Sequence, residues 1–263
     1  MTVLRAIVTA GGTREPIDAV RQVSNVASGA LPAAIANCLL RHGFTVHFIH
    51  GPGSALPATA QIQLNVLKMT PEELAKAAKD FSTLAQDLQR DLTRGNLNLH
   101  PIQTAAEAHA TLAALCRSIQ PALVICAMAV ADFSPNAVDG KLPSRTDGHA
   151  DSELVVRMAP TAKTIDCVKQ NAPECHLLGF KLLAGAAESE LTAAAKLLAV
   201  RSRADLIFAN DINDYRQGWR RGLLIEPSGA IAARLDAGAG ADATAQLANA
   251  IIAQALEHFH LEI

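Results

Sequence analysis

Apolar residues along this chain gather into short continuous runs that alternate with longer stretches at helical spacing. Val3 to Ala10 is such a run; it ends at Gly11-Gly12 and predicts a parallel strand covered on both faces. From Ala30 to Arg41 small and aliphatic residues recur at helical spacing until His42-Gly43 stops them, and Thr45 to His50 predicts a second strand. Strand, Gly-rich turn, helix and strand make one βαβ unit. Pro71 to Arg94 predicts a polar helix with a partial apolar face of Ala75, Phe81, Leu84 and Leu88. A strand at Leu97 to Ile102, a helix from Ala105 to Ile119 and a nearly continuous apolar strand at Pro121 to Ala127 follow.

The pattern changes between Ser134 and Asp151, where Pro135, Asn136, Asp139, Gly140, Pro143, Asp147 and Gly148 predict a mobile flap loop. Beyond it the pattern predicts a strand at Leu154 to Met158, a short helix at Thr164 to Asn171 and a strand at His176 to Phe180. A helix from Ala187 to Val200, a strand at Asp205 to Ala209, and a hairpin entered by Gly222 to Glu226 and turning at Pro227-Ser228-Gly229 come next. An Ala-rich helix from Ala241 to Glu257 closes the chain. With no repeat, linker or boundary, residues 1–263 are expected to form a single doubly wound, Rossmann-like α/β domain. The expected sheet is mainly parallel with helices on both faces, decorated by the flap and a C-terminal hairpin.

Composition narrows the partners. Lys and Arg number 23 against 25 Asp and Glu, a net charge of −2, so the basic excess that carries nucleic-acid binding is missing. Aromatics make up 3% of the chain, too few for a base-stacking surface. The longest apolar stretch, Pro121 to Ala131, is short for a membrane span, and no signal-peptide pattern opens the sequence. Cys38, Cys116, Cys126, Cys167 and Cys175 form no CxxC pair and sit in apolar segments, which predicts reduced core thiols and a cytoplasmic setting. The scattered histidines show no metal-ligand spacing, so no protein-ligated metal is expected.

In sheets of this kind ligands sit beyond the carboxyl ends of the strands. After the first strand come Gly11-Gly12-Thr13-Arg14-Glu15-Pro16-Ile17-Asp18, then Arg21 and Ser24-Asn25-Val26-Ala27-Ser28-Gly29. Glycines let backbone N–H groups approach a phosphate, the next helix aims its positive end there, and Arg14 and Arg21 add fixed cations. Neither GxGxxG nor a P-loop is present, and the second strand ends Phe48-Ile49-His50-Gly51-Pro52 without the acid that would hold a nicotinamide ribose. Later strand ends carry Ala127-Met128-Ala129-Val130-Ala131-Asp132-Phe133, Gly179-Phe180-Lys181 and Ala209-Asn210-Asp211, with Lys141 in the flap. Asp132 suits a sugar hydroxyl or the neighbourhood of Mg²⁺, or caps a turn.

In this order GGTREPID, VRQVSN with its ASG, MAVADF, GKLPS, GFKLL and AND resemble the phosphopantothenoylcysteine synthetases, also called phosphopantothenate–cysteine ligases, across nearly the whole chain. The likeness is to the monofunctional form, which implies no FMN. It implies a ligase of coenzyme A biosynthesis that joins 4′-phosphopantothenate to L-cysteine through an acyl nucleotidylate. CTP or ATP, with Mg²⁺ held through its phosphates, is then converted to the monophosphate and pyrophosphate in a cytoplasmic homodimer. By the same resemblance Asn25 and Lys141 are catalytic, while Arg21, Ala129 and Ala131 bind substrate. Gly11, Gly12, Thr13, Ser28, Gly29, Asp132, Phe180, Lys196 and Arg201 would hold the nucleotide.

Pro32 stands where many members have Gly, and it lacks an N–H to offer an anion. That departure motivates one alternative, a non-catalytic nucleotide-binding paralogue. An NAD(P)-dependent reductase is the other, and it lacks its ribose-holding acid.

Overall fold

The computed structural model describes residues 3–57, 70–142 and 154–261. An eight-stranded sheet forms the centre of the molecule. Its strands are β1 (Arg5–Ala10), β4 (Thr45–His50), β5 (Leu97–Pro101), β6 (Leu123–Cys126), β9 (His176–Leu183), β10 (Leu206–Asp211), β11 (Trp219–Ile225) and β12 (Ile231–Ala239). They lie in the order β12-β11-β10-β9-β6-β1-β4-β5, and only the β10–β11 and β11–β12 pairs are antiparallel. The order reverses between β1 and β6: the chain winds outward through β4 and β5, then returns to build the other half from β6.

Alternation along β1 sets the two cores, with Ile7 on one face and Ala6, Val8 and Ala10 on the other. The second face packs on α1 (Ala30–Arg41) and α7 (Ala243–His258), burying Phe48, Ile125, Phe208, Ile35, Leu39 and Ile251. Each such apolar side chain contributes about 1.5–3 kcal/mol on full burial. The face with Ile7 packs on α3 (Ala105–Ile119), α4 (Val168–Asn171) with the 3-10 turn Thr164–Cys167 before it, and α5 (Glu188–Ser202). Ala33, Ala34 and Ala36 let α1 approach closely both the sheet and its neighbour α7, which packs on the same face. Thr104 caps α3 by accepting the Glu107 N–H.

Several expectations are corrected. The long connection after β1 contains a hairpin, β2 (Arg14–Pro16) with β3 (Gln22–Ser24). The strand expected at Leu154 to Met158 instead spans Met158–Pro160 (β8) and pairs with Phe133–Pro135 (β7), at the start of the expected flap. The flap is pinned as far as it is described, since the Ala19 N–H donates to Gly140 and the Val138 N–H to Ile17; residues 143–151 lie outside the described part. The short helix α6 (Ile212–Arg216) after β10 had no apolar periodicity to announce it.

Helix α2 (Pro71–Thr93) forms with a full capping box at Thr70 and Glu73, but it buries none of its residues. Ala75 and Phe81 are exposed, and only Leu88 and Leu92, near its C-terminal end, pack against the core.

Candidate functional site

Strand-order reversal leaves a crevice between β1 and β6, because the connections leaving these strands run to opposite faces. A cavity of about 840 Å³ opens there, bounded by the carboxyl ends of β1, β6, β9 and β10 and by the starts of α1 and α6.

Short side chains join the loops after β1 and β6. Thr9 Oγ1 accepts the N–H groups of Ala127 and Met128, both at 3.1 Å, and so turns the chain sharply after β6. The Ala129 N–H donates to Gly11 at 2.8 Å, the Thr13 N–H to Ala129 at 3.3 Å, and the Ala131 N–H to Thr13 Oγ1 at 3.0 Å. Gly12 is required by crowding: a Cβ there would stand 2.6 Å from the Asn25 carbonyl oxygen. Gly29 caps α1 at φ +70°, a conformation that disfavours side chains, and a Cβ would also meet Ser54 Oγ at 2.0 Å. Ser28 Oγ accepts the Ala30 N–H at 3.3 Å and lies 3.5 Å from the Tyr215 hydroxyl.

Of the residues expected to bind, Gly11, Ser28, Gly29, Ala129, Ala131, Asp132, Phe180 and Arg201 line this one cavity. Phe180 packs on Phe208 with ring centroids 5.3 Å apart and presents its remaining surface to the cavity. Asp132 pairs with Lys163 at 2.5 Å, and Arg201 Nε with Asp166 at 3.4 Å. Asn25 stands at the edge, its Nδ2 donating to the Ala129 carbonyl at 3.3 Å. Gly12 and Thr13 act beneath the surface, since Thr13 is fully buried and holds the loop that carries Ala129 and Ala131.

Three expected residues lie apart from the cavity. Lys196 runs along the β11–β12 turn, where a Cβ on Gly229 would meet its Cδ at 3.1 Å. A helix turns by about 100° per residue, so five positions set Lys196 and Arg201 on different faces of α5, and of the two only Arg201 lines the cavity. Arg21 belongs to a knot around Asp18: it pairs with the carboxylate at 2.5 Å and donates to the Leu142 carbonyl at 3.3 Å. Lys141 is exposed beside that knot. Burial would raise the Asp18 pKa, but the N–H groups of Val20, Leu142 and Arg21 together with the Arg21 guanidinium outweigh it and hold the carboxyl at about 2.

Sequence reading missed Thr9, Thr161, Lys163, Tyr215 and Arg216. Thr161 Oγ1 donates to Ala131 at 2.5 Å, and the Thr161 N–H to Asp132 at 3.0 Å, so this segment walls the cavity from the far side. Tyr215 had a usable signal: it is the only Tyr of the chain and follows directly on the polar end of β10. Arg220 holds it in place, with its guanidinium 3.8 Å above the ring.

Burial disfavours the thiolate form of the chain's own cysteine on this wall. Cys126 lines the cavity, but burial pushes its thiol far above the usual range, as it pushes Cys116 to about 12 and Cys167 and Cys175 to about 11. Among the described residues no three His, Cys, Asp or Glu side chains converge on a metal position. The arrangement offers hydroxyls and cationic side chains around a mainly apolar space, which suits a phosphorylated ligand with a flat ring.

The family model described as the DNA/pantothenate metabolism flavoprotein C-terminal domain matches residues 1–88 and 83–223. The coenzyme A biosynthesis bifunctional protein CoaBC of Thermococcus kodakarensis is 30% identical over 212 residues, which is 80% of this chain and 42% of that protein. The protein of the same name from Escherichia coli is 28% identical over 219 residues, 82% of this chain and 43% of that one. The chain therefore spans less than half the length of these relatives. Among solved structures, the DNA/pantothenate metabolism flavoprotein from Streptococcus pneumoniae superposes with a TM-score of 0.70 at 22% identity, covering 96% of this chain and 98% of that one. A Cab2 mutant in complex with phosphopantothenate-cysteine gives 0.78 at 20% identity, covering 98% and 86%. Both likenesses establish the fold. With the family model matched over most of the sequence, the chain belongs to the DNA/pantothenate metabolism flavoprotein C-terminal domain family.

Proposed function

We propose that this chain is a ligase of coenzyme A biosynthesis that joins 4′-phosphopantothenate to L-cysteine through an acyl nucleotidylate. CTP or ATP is consumed, and the monophosphate and pyrophosphate are released. The observation that carries this reading is the convergence of Gly11, Ser28, Gly29, Ala129, Ala131, Asp132, Phe180 and Arg201 on one cavity at the strand-order reversal. The family supports it, as do the coenzyme A names of the relatives and the ligand named in the Cab2 complex.

The chemistry follows from charge. A carboxylate attacking a polyanion needs its repulsion neutralised and its leaving group stabilised, which fixed donors and cations supply without covalent catalysis. In this reading Gly11, Ser28 and Gly29 face the phosphates, Phe180 takes the base and Asp132 the ribose. Asn25 donates to the acyl carbonyl as charge builds there, exchanging its present acceptor, the Ala129 carbonyl. Lys141 closes over the triphosphate from the pinned base of the flap, and Arg21 reaches the acid substrate on leaving Asp18. Asp132 is already paired with Lys163, so the cavity fits magnesium arriving as the nucleotide's own counter-ion, bound by phosphate oxygens and water. There it would supply charge neutralisation.

The reading includes a homodimer. Hairpins β2–β3 and β7–β8 form an arm that exposes Val20 at 63%, Phe133 at 54% and Val138 at 48%. Apolar side chains gathered on one projection suit a second copy of the chain.

Pyrophosphate release with 4′-phosphopantothenate, magnesium and either CTP or ATP, with and without cysteine, tests the reaction. Sustained cysteine-dependent release is expected, and the nucleotide that supports it fixes the preference. Nucleotide binding without release would favour the non-catalytic paralogue that Pro32 motivates.

A further inference from the structure

Strand β9 sends Phe180 and Lys181 to opposite faces of the sheet. Phe180 turns to Phe208, in the core shared with α1 and α7. Lys181 continues the alternate set of Leu177 and Gly179, which faces α5. The space over Gly179 is filled, since a Cβ there would meet Ile207 at 2.7 Å, Ile165 at 3.0 Å and Leu198 at 3.9 Å. Lys181 emerges beyond that apolar layer, half-buried, on the cavity wall.

Its neighbours on this wall are neutralised, Lys163 by Asp132 and Arg201 by Asp166. Lys181 has no hydrogen-bond or ion-pair partner among the described residues. Arg216, across the cavity on α6, is likewise unpaired but is exposed to water. Lys181 thus brings to the cavity wall a positive charge that no carboxylate among the described residues balances, free to meet an anion.

We propose that Lys181 binds a phosphoryl group of a substrate in this cavity. The proposal rests on the reading above, in which both the nucleotide and the acid substrate are phosphorylated. Either can supply the anion, and the chemistry that Lys181 recognises is the same: a phosphate oxygen meeting a charge that apolar walls leave poorly screened.

Calorimetric titration of the whole chain separates the two sources. Wild type, Lys181→Met and Lys181→Arg are each titrated with CTP and CMP, ATP and AMP, and 4′-phosphopantothenate and pantothenate, their melting temperatures being compared first. Met keeps the unbranched stem against the wall and removes the charge; Arg restores the charge. In Lys181→Met one preference is expected to fall about 10-fold or more, either triphosphate over monophosphate or 4′-phosphopantothenate over pantothenate, and Lys181→Arg is expected to retain it. The pair that collapses identifies the source. Should wild type bind and Lys181→Met keep both preferences, the proposal is overturned while the ligase reading stands. Failure of wild type to bind any of the six compounds overturns the ligase reading, and this proposal with it.

Discussion

Asp18 is 5% exposed, yet its carboxylate accepts from three backbone N–H groups and the Arg21 guanidinium, and it ties the loop after β1 to the base of the flap. Its pKa in the fold is about 2, below the ordinary 3.8. A depressed carboxyl pKa contributes stability that is fully present above the unfolded value and lost as pH falls through the folded one. The contribution is therefore constant above roughly pH 4 and disappears towards pH 2. Asp18→Asn, which keeps one acceptor oxygen, is expected to melt below wild type at neutral pH, with the gap closing as both are titrated to pH 2. A gap that stays constant over that range would show that the Asp18 charge does not hold the flap. At this scale the sequence was only partly legible. Asp18 stood inside a quoted motif, but that it would bind its neighbour Arg21 depends on a turn that apolar periodicity does not report.

Glycines at the ends of β1 and β4 show why packing between elements decides the site. A Cβ on Gly51, just after β4, would stand 2.1 Å from the Gly12 carbonyl oxygen and 2.9 Å from its carbonyl carbon, backbone atoms rather than the far end of a flexible side chain. Gly51→Ala is expected to push these loops apart and lower stability by about 1–3 kcal/mol, the range for overpacking. It should also weaken pyrophosphate release several-fold, because Gly11 and Gly12 move with the loop. A thermal melt and the release assay together check this, and a normal melt with normal turnover would show that the contact relaxes. Helix α2 marks the opposite limit. Its caps and propensity are legible in the sequence, so the helix was expected and is present, while its apolar stripe finds cover only near its C-terminal end. Local signals determine that a segment is helical; what it packs on depends on residues far away in the chain.

For the whole molecule, the doubly wound order places α1 and α7 on one face and α3, α4 and α5 on the other, and it is this division that opens the crevice. The same winding leaves the β2–β3 and β7–β8 arm outside the core with Val20, Phe133 and Val138 exposed. If the arm is the homodimer surface, sedimentation equilibrium should give twice the chain mass for wild type. The double variant Phe133→Glu and Val138→Glu should then give a single chain mass with an unchanged melt at low concentration. A monomeric wild type would remove the dimer from the proposed function.

Much of this protein was determined by the sequence alone. Short apolar runs with Gly-rich ends predicted the strands, helical spacing predicted α1, α3, α5 and α7, and the ordered motifs pointed to the family and to seven residues that share the cavity, with Arg201 added by the resemblance. These features are legible because they depend on neighbours in the chain: the pleat, the helical turn and the need for a small residue at a sharp bend. Only the tertiary structure decided the rest. It set Lys196 against a distant turn, tied Arg21 to Asp18, and brought Thr9, Thr161 and Tyr215 to the cavity from separate strand ends. It also left Lys181 as a half-buried charge on the cavity wall. Those outcomes depend on which carboxylate or carbonyl lies within about 3 Å after the sheet has closed, a distance that separation along the chain does not encode.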